Sequence, residues 1–200
     1  MTLIHLFDGT TDARYGKALI PAFAEHAKYR HIQCTPSPGG IDMLTYEIVK
    51  AAEKESWNAA RRQADILQFV PGVLNRVGTE FLGAYTFTLT EKDLYAGDLN
   101  WGFGCVLPDG NNGKHLILST HRFKDLAALT HTAIHEMGHM FGAARPGRRN
   151  TEHNLGSHCT NLCVMQQKVT VPEMEKYVAL LASRNDKFCL DCQTDLKNYC

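Results

Sequence analysis

The chain has 200 residues, with 21 Lys and Arg against 21 Asp and Glu, so its formal net charge is zero. With 44% hydrophobic and 21% charged residues, it has the composition of a globular protein, and a chain this long buries roughly 70% of its unfolded surface. That excludes a disordered chain, a collagen and a coiled coil, and the lack of a basic excess argues against a nucleic-acid partner.

The departures from average are ten His and seven Cys. An odd number of Cys cannot pair completely within one chain. The N-terminal MTLIHLFDGTTDAR has no basic region, and Asp8 interrupts its short apolar run, so it does not read as a signal peptide. There is no run of about 18 apolar residues to predict a membrane span. These features predict a cytoplasmic chain with reduced thiols and no membrane partner, in which paired cysteines are metal ligands rather than disulfides.

Taken in order, Thr2–Phe7 predicts a strand ended by Asp8-Gly9. Arg14–Tyr29 has helical spacing, with Pro21 marking a possible start inside it. His31–Thr35 predicts a second strand, and Pro36, Pro38, Gly39 and Gly40 a loop. Met43–Arg76 reads as mostly helical with a break near Pro71-Gly72, and Thr79–Leu89 as a strand. After a polar connection over Thr90–Asn100, Trp101–Leu107 predicts an edge or irregular strand because of its two glycines. The turn sequence Pro108–Gly113 leads into a strand at His115–Thr120, and Lys124–Ala144 is the longest clean helix, closed by Gly142 and Pro146. Arg145–Ser157 is a polar, basic loop, and Val171–Ser183 a helix beginning at Pro172. The alternation predicts an α/β (α+β) fold with a twisted mixed sheet and one antiparallel hairpin. It forms a single domain over residues 1–200, with subdomains 1–142 and 143–200.

His135-Glu136-Met137-Gly138-His139 is an HExxH motif on the longest helix. Residues four apart share a helix face, so both imidazoles can reach one zinc ion, and Glu136 can take a proton from a water activated there. At the His and Glu frequencies of this chain the pattern arises by chance in roughly one such chain in forty. The alternative is a helix with two packed or solvated histidines. His131, one turn earlier, is either a supporting group or a packed side chain. Cys159 with Cys163, and Cys189 with Cys192, have the spacing of a four-cysteine structural zinc site. Cys34 and Cys105 fall in predicted strands as small core residues, and Cys200 is left over.

HEMGHMFG, HCTNLCVM and FCLDC stand in this order along the chain, which resembles the archaemetzincins, a branch of the metzincin zinc metallopeptidases. Ser56–Leu67 is similar to the family's Asn-x-x-Arg-x-Gln helix. Leu82–Gly104 is similar to its Leu-Gly strand, Asp-Leu-Tyr turn and Asn-aromatic-x-Phe-Gly strand. The resemblance spans most of residues 56–192. It implies a metzincin-like zincin with His135, His139 and a third His on a catalytic zinc, Glu136 as general base, and Met165 as the Met-turn residue beneath the metal. Cys159, Cys163, Cys189 and Cys192 would hold a second, structural zinc. It also implies a peptide or protein substrate laid along the Trp101–Leu107 edge strand.

The family's third His falls here on Arg145, which cannot ligate zinc. Residues 143–157 stand where the family has two. The ligand expected across this insertion is His158, next to Cys159, with His153 as the alternative. Arg145, Arg148 and Arg149 of the insertion either overhang the cleft and favour acidic substrates or are solvated. The reading is therefore a zinc metallopeptidase. Its rivals are a zincin with Glu173 or Glu175 as third ligand and a zinc-stabilised binding protein with a degenerate, inactive site.

Overall fold

The computed structural model describes residues 1–35, 43–81, 83–109 and 111–199. The loop expected at Pro36, Pro38, Gly39 and Gly40, and Cys200, lie outside the described residues. Strand β1 (Thr2–Asp8) ends where the Asp8 carboxylate accepts hydrogen bonds from the backbone and hydroxyl of Thr10. The single helix expected over Arg14–Tyr29 is two: α1 (Ala13–Ala18), capped by Asp12, and α2 (Ile20–Ala27), with Pro21 in its first turn. Strand β2 (Ile32–Thr35) and helix α3 (Met43–Glu55) follow.

The long helix expected over Met43–Arg76 breaks earlier than Pro71-Gly72. At the end of α3 the Ser56 hydroxyl donates to the Ala52 carbonyl. The chain then forms a small antiparallel pair, β3 (Trp57–Asn58) and β4 (Gln63–Asp65), where the resemblance implied a helix. The Asn58 side chain makes this turn by accepting from the backbone of Ala60 and Arg61, and Arg62 sits at φ 55°. Asp65 caps α4 (Ile66–Val77), which carries Pro71 in its interior. Pro71 is exposed, so solvent can satisfy the carbonyl that the proline leaves unbonded.

A single 3₁₀ turn at Thr79–Phe81 precedes β5 (Tyr85–Thr90), a strand shorter than the expected Thr79–Leu89. Strand β6 (Leu94–Ala96) lies within the segment expected to be only a connection. The strand expected over Trp101–Leu107 is divided into β7 (Leu99–Gly102) and β8 (Gly104–Pro108). Phe103 between them turns into the core against Phe123, with ring centroids 5.1 Å apart, and there the chain changes sheets. The remaining elements are β9 (Lys114–Ser119), α5 (Leu126–Met140), β10 (Thr151–His153), β11 (Ser157–Cys159), α6 (Val171–Ala182) and α7 (Leu190–Asn198).

The main sheet has the order β2-β1-β5-β9-β8; all its pairs are parallel except β8 with β9. The mixed sheet with an antiparallel edge is therefore present, formed around the Pro108–Gly113 turn as its sequence indicated. A second sheet of order β3-β4-β6-β7 stands beside it. Helix α5 packs against α1, α2 and α6 and against β8 and β9. One buried cluster runs from Leu6 and Phe87 through Leu129 and Met137 to Met165, Phe188 and Leu196, so residues on both sides of Gly142 share a core. No helix among the described residues is long and apolar enough to cross a membrane.

Candidate metal centres and the cleft between them

Asp125 opens α5 by accepting from the Ala127 backbone, and Leu129, Ala133, Met137 and Met140 bury one face of the helix. His135, Glu136 and His139 occupy the other face. The helix ends in a paired carbonyl cap: the Gly142 N–H donates to His139 O (3.1 Å) and the Ala143 N–H to Gly138 O (2.8 Å). That cap requires φ of +73° at Gly142, and a side chain there would run into the Tyr199 ring.

The insertion is a β-hairpin rather than a loop. β10 and β11 pair antiparallel, with Glu152 opposite His158 and His153 opposite Ser157. The Ser157 hydroxyl donates to the Ala144 carbonyl (2.6 Å), which fixes the base of the hairpin to the end of α5. This brings His158 Nε2 to 3.3 Å from His139 Nε2, which is itself 3.0 Å from His135 Nε2. Nitrogens about 2.0–2.1 Å from a tetrahedral zinc ion lie roughly 3.3 Å apart, close to both of these distances, and the ligand atoms of all three residues lie within 4.8 Å of one another. The His135 Nδ1–H donates to the Val164 carbonyl (2.8 Å), leaving the Nε2 lone pair toward the other two rings. Burial lowers all three rings, His139 to about 3, so each is neutral and able to ligate. His153 is exposed and outside this group, as are Glu173 and Glu175 at the start of α6.

Glu136 faces a cleft of about 410 Å³ that β7 and β8 bound on one side. Burial pushes its carboxyl up to about 8, and a cation held by the neighbouring imidazoles would draw it down again. Its fit depends on Gly104, where a Cβ would stand 3.0 Å from Glu136 Cγ and 2.8 Å from the Ile117 carbonyl. Met165 is fully buried with its sulfur against the backbone of Gly138, the residue before His139. The turn that carries it is held by Gln166 N–H donating to Cys163 O and Cys159 N–H to Met165 O (both 2.9 Å).

That turn leads into the second cluster. The ligand atoms of Cys159, Cys163, Cys189 and Cys192 all lie within 4.8 Å of one another. Cys159 Sγ and Cys189 Sγ are 3.7 Å apart, against roughly 3.8 Å for sulfurs on a tetrahedral zinc. Hydrogen bonds from neighbouring thiols pull Cys159 down to about 7 and Cys189 down as well, while donating to Cys159 pushes Cys163 and Cys192 up. A cation bound among them would favour release of the remaining protons. Each of the two clusters can hold one metal ion.

No family model matches the chain. An archaemetzincin of Nanoarchaeum equitans is 27% identical over 154 residues, 75% of this chain and 74% of that protein. The crystal structure of an archaemetzincin from Methanopyrus kandleri superposes with a TM-score of 0.65 at 18% identity, covering 98% of this chain and 93% of that one. A structure described as a zinc-dependent peptidase, from Methanocorpusculum labreanum, gives 0.59 at 19% identity over 96% and 99%. The chain is thus similar to archaemetzincins in sequence and shares their fold.

Against the archaemetzincin pattern, the replaced position at Arg145 is bypassed by the hairpin. Arg145 and Arg148 do not overhang the cleft. Both turn to Asp195 of α7, and Arg148 Nη1 lies 2.5 Å from that carboxylate. Arg148 Nη2 also donates to Cys159 Sγ and Cys192 Sγ at 3.4 and 3.3 Å, a role the sequence reading missed. The one signal for it was an acidic residue, Asp195, three positions after Cys192. Arg149 is exposed. His131 is buried edge-on to Tyr177 in the cleft wall, lowered by burial to about 4, and outside the convergent histidines.

Proposed function

We propose that this chain is a zinc-dependent metallopeptidase, with His135, His139 and His158 holding the catalytic zinc and Cys159, Cys163, Cys189 and Cys192 a structural one. The observation that carries this reading is the convergence of three neutral imidazoles beside the Glu136 carboxylate in a cleft. Zinc bound there would polarise a peptide carbonyl and lower the pKa of water to about 7. Glu136 would accept the proton of the attacking water and pass it to the departing amine, the part of a general acid–base. The outer edge of β8, which has no partner strand among the described residues, would align an extended peptide by backbone hydrogen bonds. Met165 would give the ligands an apolar floor. The cysteine site would anchor residues 158–165, the segment that carries both His158 and the Val164 carbonyl on His135. The test is hydrolysis of a quenched peptide library by zinc-loaded protein: Glu136→Gln should abolish cleavage while both metals are retained. Cleavage that survives this substitution would exclude the mechanism.

A further inference from the structure

Leu155 is out of place by every local criterion. It occupies the middle of the three-residue turn Asn154-Leu155-Gly156 that joins β10 to β11, at φ 52°, a region that bulky side chains avoid and Asn or Gly adopt readily. It is also 61% exposed, so burial does not repay the strained backbone. Backbone strain at an exposed residue points to a function when that residue lines a site. Leu155 lines the same cleft as Glu136 and His158. Leu99 of β7 lines it as well and is 43% exposed.

The base of the hairpin is fixed, so the position of its tip is determined. Ser157 is tied to Ala144, the Thr151 hydroxyl donates to the Arg148 carbonyl, and Arg148 is held by Asp195 and two cysteine sulfurs. We infer that the hairpin is a specificity element, in which Leu155, facing the cleft that Leu99 also lines, forms an apolar subsite for a bulky aliphatic or aromatic side chain of a peptide near its scissile bond. This rests on the peptidase reading and adds to it a substrate class. An occupied subsite would cover Leu155, and preferences built from one such apolar contact are about tenfold.

The test uses zinc-loaded protein carrying Glu136→Gln, so that bound peptide is not consumed. Fluorescein-labelled alanine hexapeptides, each with a single Leu at one of the successive positions, are titrated by fluorescence anisotropy against the all-alanine peptide. One position should bind about tenfold tighter than alanine, and Leu155→Asn, which suits the left-handed backbone, should bring that ratio close to one. A structural role for Leu155 predicts a lower melting temperature in Leu155→Asn, whereas relief of strain predicts an equal or higher one. No Leu preference at any position, or a preference that Leu155→Asn leaves intact, overturns the inference. A preference that depends on Leu155 in a protein whose Glu136 form cleaves none of these peptides would retain the subsite and count against the peptidase reading instead.

Discussion

Gly138 separates packing from helix propensity. A methyl group at this position would lie under 3.0 Å from Met165 Sδ and 3.3 Å from Phe188 Cε1, and both of those side chains are 0% exposed. A methionine can usually give way, but this one has no free volume to move into, so Gly138→Ala should incur an overpacking cost of about 1–3 kcal/mol. Replacing a mid-helix glycine by alanine recovers about 1 kcal/mol of propensity. The net loss is then roughly 0–2 kcal/mol, or up to about 8 °C in Tm for a chain of this size. In a Met165→Ala background the contact with the sulfur is gone and only the milder one with Phe188 remains, so the same change should become neutral or stabilising by up to about 1 kcal/mol. Urea denaturation of the four proteins in this cycle gives the coupling. Zinc competition with a chelator should show Gly138→Ala weakening the histidine site only when Met165 is present, because displacing Met165 disturbs the Val164 carbonyl that orients His135. Equal effects in the two backgrounds, within about 0.5 kcal/mol, would refute the packing argument.

Three other outcomes follow from the same structure. Cys159→Ser and Cys192→Ser should each lower Tm sharply and release one metal, whereas Cys34→Ala, outside the cluster, should move Tm far less; equal losses in all three by thermal denaturation would remove the four-cysteine site. Arg148→Met should cost about 1–3 kcal/mol in urea denaturation, since it removes a charged hydrogen bond to the mostly buried Asp195 and leaves only Arg145 on that carboxylate, and an Asp195→Asn partner change should recover part of that loss. His26 is fully buried with its Nε2–H donating to the Ile134 carbonyl, and burial lowers its pKa to about 4 from 6.5. Its folded pKa lies below its unfolded one, so its contribution is complete above about pH 6.5 and falls by roughly 3 kcal/mol as pH drops to 4; His26→Gln should flatten that part of the stability profile.

The chemistry of this chain was more legible in its sequence than its local structure. HExxH and the paired cysteines carry their geometry in their spacing, so the clusters around α5 and α7 could be read before any fold was known. The errors came where a local side-chain hydrogen bond or a ring contact overrides periodicity. Asn58 turns the chain into a hairpin inside an otherwise helical pattern, and Phe103 splits one apparent strand between two sheets. Pro71 misled in the opposite sense, because a proline on an exposed helix face costs less than its reputation as a breaker suggests. The insertion was opaque for another reason. Its polar composition signals a loop, and nothing local announces that Arg148 ends on cysteine sulfurs or that Leu155 returns to the cleft. Those placements arise from pairing across β10 and β11 and from contacts with α7, distant in sequence.

We propose that the hairpin returns His158, and not His153, to complete a metal site alongside an independent cysteine site. Zinc stoichiometry and competitive zinc titration of wild type, His158→Ala and His153→Ala test it directly. Two zinc ions are expected in the wild type and in His153→Ala, with unchanged affinities, and loss or marked weakening of one ion in His158→Ala. Full zinc retention by His158→Ala, or loss of an ion in His153→Ala, would contradict it.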